Sequence, residues 1–190
     1  EFKFMSSQAQ LYQFVKEDQP ELFERIKKAV ADNRWEPEGG MWVEADCNLS
    51  GGEALVRQFL YGNEFFETEF GKRSKILWLP DVFGYTWALP QIMARSGIKY
   101  FYTSKLVNND TNRFPHSLFL WQGVDGTKTL SYLQRLNYNG ELRAKTMYNI
   151  ENLFDQRDVV DEVLMTIGYG DGGGGPNYQM CENFERLKQF

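Results

Sequence analysis

Ile76-Leu77-Trp78-Leu79-Pro80-Asp81-Val82-Phe83-Gly84-Tyr85 is the stretch on which the reading of this chain turns. Four apolar residues, Ile76 to Leu79, form a short strand that Pro80 closes. The strand delivers an acid, Asp81, at its C-terminal end, and a glycine turn follows at once. In α/β folds reactive groups collect at that edge of the sheet. Asp81 is therefore a candidate nucleophile or metal ligand. The plain alternative is an Asp capping the helix that follows.

Downstream, Ala88 to Arg95 has helical character and Ile98 to Thr103 strand character. Ser117 to Gln122 and Thr127 to Leu133 form strands around the turn Val124-Asp125-Gly126. Val159 to Ile167 is expected to pass from helix into an apolar strand. Gly168 to Pro176 is a glycine-rich loop, and a last helix runs to Phe190.

Upstream, Ser50-Gly51-Gly52-Glu53 fits a capping box. The helix it opens carries Leu55, Phe59 and Leu60, a further turn carries Phe65, Phe66 and Phe70, and Gly71 breaks it. Met41 to Asp46 is expected to be a short strand, after the turn Glu36-Pro37-Glu38-Gly39-Gly40. Asp18 and Pro20 start a helix whose Leu22, Ile26, Ala29 and Val30 share a face. Ser6-Ser7-Gln8 opens an earlier helix through Val15, behind an alternating stretch at Glu1 to Met5. Strands and helices alternate, which predicts an α/β fold with a mostly parallel sheet.

The 190 residues suit one domain or a large part of one, and 42% hydrophobic content supplies a core. A net charge of -5, spread along the chain, leaves no basic patch for nucleic acid. No apolar run approaches the ~20 residues of a membrane helix. Five Trp, ten Tyr and fifteen Phe are enough to build sugar-stacking platforms as well as core. Cys47 and Cys181 form no CxxC pair and fit idle thiols in a reducing, cytoplasmic setting. His116 is the single histidine, so this chain cannot build an ordinary His/Cys zinc site alone.

Two further acidic signals accompany Asp81. On a strand, Glu44 and Asp46 share one face, where they either meet water or handle a cation or sugar. Asp171 stands among glycines that let backbone approach a ligand closely. The same loop contains a formal G-x-G-x-x-G at Gly168, Gly170 and Gly173, a weak dinucleotide signature placed late in the chain. Two carboxyl groups on separate loops suit glycoside hydrolysis, where one attacks and the other protonates the leaving oxygen.

These residues resemble the glycoside hydrolase family 38 α-mannosidases, in particular the vacuolar, cytosolic and bacterial branch. The markers cover essentially the whole chain. They are Ser6-Ser7-Gln8, the stretch Gly39 to Asn48, Ser50-Gly51-Gly52-Glu53, Arg57-Gln58, Trp78 to Tyr85 and Leu89-Pro90-Gln91-Ile92. They continue through Asn112 to His116, Trp121 to Gly126 and Gly170 to Pro176. The resemblance implies the central part of a seven-stranded, mostly parallel α/β barrel that removes terminal α-linked mannose with retention. It implies that Asp81 both ligates one zinc ion and forms the glycosyl-enzyme, and that Asp171 is the general acid/base. It further implies that Phe83 packs against the sugar, and that Asp46 and Lys105 contact it. The family's other zinc ligands fall before Glu1 and after Phe190, so zinc is expected to need residues outside this chain, and the fragment alone is expected to be inactive. Val107-Asn108-Asn109 departs from the Ser-Trp-Asn expected after Lys105-Leu106. The expected partner is a mannose-containing oligosaccharide, with no nucleic acid or membrane, and a homo-oligomer is left open. A non-catalytic carbohydrate-binding module and a nucleotide-binding domain are the competing classes.

Overall fold

A computed structural model describes residues 3–136, 138–170 and 174–189. The elements are β1 (Phe4–Ser6), α1 (Ala9–Asp18), α2 (Pro20–Ala31), β2 (Trp35–Pro37), α3 (Gly52–Phe70) and β3 (Ile76–Leu79), followed by α4 (Leu89–Arg95), β4 (Tyr100–Thr103), β5 (Leu118–Gln122), β6 (Lys128–Leu133), α5 (Ala144–Leu153) and α6 (Tyr178–Leu187). β1 and β2 pair in parallel. A second sheet has the order β3-β4-β6-β5, parallel throughout except for β5, which returns antiparallel on β6. A parallel bridge from Gly39 to Leu77 leads from the first sheet toward the second. The fold is thus mixed α/β with mostly parallel pairing. The described residues form these two sheets and not a closed barrel.

The 19-residue α3 joins two cores. Its first half packs Leu55 and Phe59 against Leu77 and Leu79 of β3, Leu89 and Met93 of α4 and Phe101 of β4. Its second half packs Phe65 and Phe66 against Ala9 and Tyr12 of α1 and Phe23, Ile26 and Val30 of α2. Apolar surface removed from water at about 25 cal/mol/Å² is the main stabilising term here. Gly62 lies where the loop crosses α3, and a Cβ there would stand 2.5 Å from the Met41 carbonyl carbon. A side chain at this position would push the loop off the helix.

Most of the expected elements form, and four expectations are corrected. The turn expected over Glu36 to Gly40 begins inside a strand, because Trp35–Pro37 is β2 and pairs with β1. Met41 to Asp46 is not a strand. Its backbone bonds elsewhere: Trp42 N–H donates to the Gln58 carbonyl (3.0 Å), and Val43 and Glu44 N–H donate to the side-chain oxygens of Gln58 (2.9 Å) and Gln8 (3.3 Å). The Trp42 carbonyl accepts from Gln10 N–H at the start of α1. From Trp42 to Glu44 these bonds take the place of a strand ladder. The capping box is also absent. The N-cap is Gly51 and not Ser50, so no side chain caps the helix, and Glu53 pairs forward with Arg57 (2.9 Å). Finally, Val159 to Ile167 contains neither helix nor strand beyond an isolated bridge from Ile167 to Gly140, and the helix in this part of the chain is α5, which ends six residues before Val159. The Val124-Asp125-Gly126 turn forms as read. Asp125 closes it by accepting from Thr127 N–H (3.0 Å) and from the Thr127 hydroxyl (2.8 Å).

Candidate functional site

Leu79 of β3 and Thr103 of β4 are paired in parallel register. Residues an equal distance beyond such a pair leave the sheet at the same edge. Asp81 and Lys105 each lie two positions on, and Lys105 Nζ meets Asp81 Oδ1 at 2.5 Å. The contact is an ion pair rather than an aligned hydrogen bond. Oδ1 is buried and accepts no hydrogen bond, while the Asp81 side chain as a whole remains 39% exposed. The exposure therefore falls on the rest of the side chain. Lys105 is more enclosed, at 19%. Its ammonium also lies 5.2 Å from the centre of the Phe83 ring and 5.5 Å from that of Tyr138, within cation–π range.

The turn carrying these groups is braced from below. The Tyr85 hydroxyl donates to the Leu79 carbonyl (3.3 Å) and is bonded to Thr103 Oγ1, which also accepts from Lys105 N–H (3.1 Å). The Ser104 hydroxyl donates to the Pro80 carbonyl. One hydroxyl chain thus ties the ends of both strands together. Burial pushes the Tyr85 phenol up, and the nearby charges of Asp81 and Glu44 add to that. Tyr85 therefore stays protonated and able to donate.

Phe83 is 78% exposed, its ring open to solvent beside Lys105. Its carbonyl accepts from Asn48 Nδ2 (3.3 Å), and Gly84 follows at φ +134°. A Cβ on Gly84 would stand 2.0 Å from Asn48 Nδ2. Asp46 remains on the surface, with Oδ1 accepting from Asn48 N–H (2.8 Å) and Leu49 N–H (2.7 Å). It shapes the loop that presents Asn48 to Phe83.

Glu44 and Asp46 do not share a face as a strand would make them. Glu44 turns inward, where its carboxyl accepts from the Ser7 hydroxyl (2.7 Å). Burial raises its pKa, the Ser7 bond opposes that, and the Asp81 charge adds a smaller push upward. Burial also pushes the Cys47 thiol up to about 12, with help from Asp46, so this thiol is not a nucleophile at neutral pH.

The structure therefore unites Asp81, Lys105 and Phe83, with Glu44 close enough to feel Asp81. Asp171 lies outside the described residues. Ser7, Tyr85, Thr103 and Tyr138 complete the site. Ser7 and Tyr85 already stood inside quoted motifs, but no pattern marked Thr103 or Tyr138. Among the described residues no three His, Cys, Asp or Glu side chains converge on a point where a metal ion could be held. His116 is exposed and belongs to no such group. Asp81 supplies one carboxylate, already paired with Lys105, so these residues do not fit a closed zinc site by themselves.

The sequence profile of the glycosyl hydrolases family 38 N-terminal domain matches residues 1–190. The chain is 46% identical over 189 residues to "Alpha-mannosidase G" of Dictyostelium discoideum, covering 99% of this chain and 17% of that protein. It is 42% identical over 189 residues to human "Alpha-mannosidase 2C1", covering 98% of this chain and 18% of that protein. The chain thus spans under a fifth of the length of the curated relatives it matches. The solved structure of an alpha-mannosidase from Enterococcus faecalis V583 superposes with a TM-score of 0.66 at 23% identity, over 79% of this chain and 17% of that one. A 4-alpha-glucanotransferase from Thermococcus litoralis superposes at 0.68 with 14% identity, over 98% and 30%. At such identities the two superpositions speak for the fold alone.

Proposed function

The chain belongs to glycosyl hydrolase family 38, and on that premise we propose that it carries the nucleophile of a zinc-dependent retaining α-mannosidase that removes terminal α-linked mannose from oligosaccharides. The carrying observation is the Asp81 carboxyl group at the strand edge, with one oxygen held by Lys105 and the exposed Phe83 ring beside it. The names of the 46% and 42% identical relatives support the substrate class.

In this reading a carboxylate oxygen of Asp81 attacks the anomeric carbon and the glycosidic C–O bond breaks. Asp171, as general acid, gives its proton to the departing oxygen. Asp171 then takes a proton from water, which attacks the same carbon and releases mannose and the Asp81 carboxylate. The Phe83 ring packs against the apolar face of the sugar. Lys105 orients the Asp81 carboxyl through Oδ1. Asp46 and the Lys105 ammonium are the polar sugar contacts. Zinc enters this proposal through Asp81 alone, with the remaining ligands supplied from outside this chain, and the setting proposed is cytoplasmic. The finer architecture, part of a seven-stranded barrel, is supported by the parallel order of β3, β4 and β6 and by the parallel bridges on either side.

The test is turnover of an aryl α-mannoside by the full-length protein and its Asp81→Ala variant, each with and without a chelator. Strong loss in the variant, and loss on chelation, are expected. Near-normal turnover by Asp81→Ala would overturn the assignment.

A further inference from the structure

A cavity of about 590 Å³ opens between α3, the entry to β3 and the loop joining α4 to β4. Lys75 and Lys99 immediately precede β3 and β4, so the cavity lies at the N-terminal ends of these parallel strands. Asp81 follows the opposite ends. Six residues at about 3.3 Å each separate Lys75 from Asp81 along the strand, roughly 20 Å. The cavity is therefore a place distinct from the site described above.

Its lining is one-sided in charge. Arg73, Lys75, Arg95 and Lys99 line it, and no acidic side chain does. Arg73 pairs with Glu67 (3.3 Å), while the other three form no ion pair among the described residues. Glu38, outside this lining, accepts from the Lys75 backbone N–H at both carboxylate oxygens (3.2 Å). The carbonyls at the C-terminal end of α4 are likewise engaged, by the N–H groups of Ser96, Gly97 and Ile98.

A second observation points the same way. Asn63 on α3 lines the cavity, is 1% exposed, and its Nδ2 has no hydrogen-bond partner. The orientation of the amide follows from its other end, because Oδ1 accepts from Ser74 N–H (3.2 Å). That leaves an N–H₂ donor buried beside the cavity without an acceptor, which is costly unless something supplies one. Cations around a space that lacks carboxylates, with a buried amide donor in its wall, form a receptor for an anion with several acceptor oxygens.

We propose that this cavity binds a phosphate group, contacted by Lys75, Arg95 and Lys99, with the Asn63 amide donor behind them in the wall. The phosphate is either inorganic or carried on a sugar, for which the Val56, Phe59 and Leu60 wall leaves an apolar surface. The assignment does not rest on the glycosidase reading.

Isothermal titration calorimetry on the full-length protein tests it with inorganic phosphate, with a hexose 6-phosphate and with the unphosphorylated hexose as control. Binding of inorganic phosphate supports the proposal with the free ion as sufficient ligand. Binding of the hexose phosphate alone supports it with the sugar read by the apolar wall. Lys99→Glu on the surface should weaken the phosphate Kd at least about tenfold, since a charge-assisted bond is worth 1.4 kcal/mol or more. Asn63→Asp keeps the acceptor for Ser74 N–H while placing negative charge at the cavity, and should weaken it as well. Turnover of the aryl α-mannoside should be unchanged in Lys99→Glu. Absence of phosphate binding at millimolar concentration, or equal binding by wild type and Lys99→Glu, would overturn the proposal.

Discussion

Asp81 and Lys105 stand two residues beyond Leu79 and Thr103, a parallel pair in register, and their side chains meet at 2.5 Å. The pairing of two strands thus sets the position of a charged pair beyond their ends. The consequences can be separated experimentally, because Asp81 is proposed to do chemistry and Lys105 to position it.

Replacing Asp81 with Asn removes the attacking carboxylate at almost no change in volume. In the full-length protein, kcat/KM for an aryl α-mannoside is expected to fall at least about 10³-fold, in the range seen when nucleophiles are removed. The thermal midpoint should move little, because the pair is partly exposed. A fall in activity that tracks a fall in stability would instead mark Asp81 as structural.

Lys105→Met keeps the apolar stem and removes the ammonium. Stability should change by less than about 1 kcal/mol, as for other partly exposed pairs. Activity should fall about tenfold, with Lys105→Arg recovering part of it, since either cation can hold Oδ1. Equal activity in Lys105→Met and wild type would show that Oδ1 needs no holding.

Gly84→Ala should destabilise the protein by roughly 1–3 kcal/mol, because the backbone there is one that side chains rarely adopt. The added Cβ also meets Asn48 Nδ2 at 2.0 Å. Asn48→Ala in the same chain should relieve the collision but not the backbone strain. Urea titration of the single and double variants reads the two contributions, and full recovery in the double variant would refute the strain.

Glu44 allows a pH test. Burial raises its folded pKa above the ordinary 4.5, so the folded state holds the proton more tightly than the unfolded state. Between those values stability falls as pH rises, and above the folded value the penalty is constant. Glu44→Gln carries no charge and can still accept from the Ser7 hydroxyl. It is expected to be more stable than wild type at pH 7, with a flatter profile above pH 4.5. A variant less stable at pH 7 would show that the ionised carboxylate is favoured where it lies.

The apolar runs and their breakers were readable from the chain alone. Ile76 to Leu79 forms a strand in which Leu77 and Leu79 are buried in the core against α3 while Ile76 and Trp78 are half-buried, and α3 stops at Phe70 where Gly71 was expected to stop it. The acid at the end of that strand was equally legible, whereas Phe83 was marked only by the family resemblance and its exposure came from the structure. These features are local: they follow from side-chain chemistry and from the nearest turn. Contacts across distance were not legible. Met41 to Asp46 has the composition of a strand, yet its N–H groups meet Gln58 and Gln8, and no strand-period pattern can report where a distant helix will present an acceptor. The capping box failed because the helix begins one residue later than expected, with Gly51 and not Ser50 as N-cap, and Glu53 pairs with Arg57 one turn on. Lys105, 24 positions from Asp81, reached its partner only because β3 and β4 pair in parallel at one register. Tyr138 came to the same ammonium from beyond β6. Long-range pairing is decided by which strands lie side by side, and that depends on how the whole core closes.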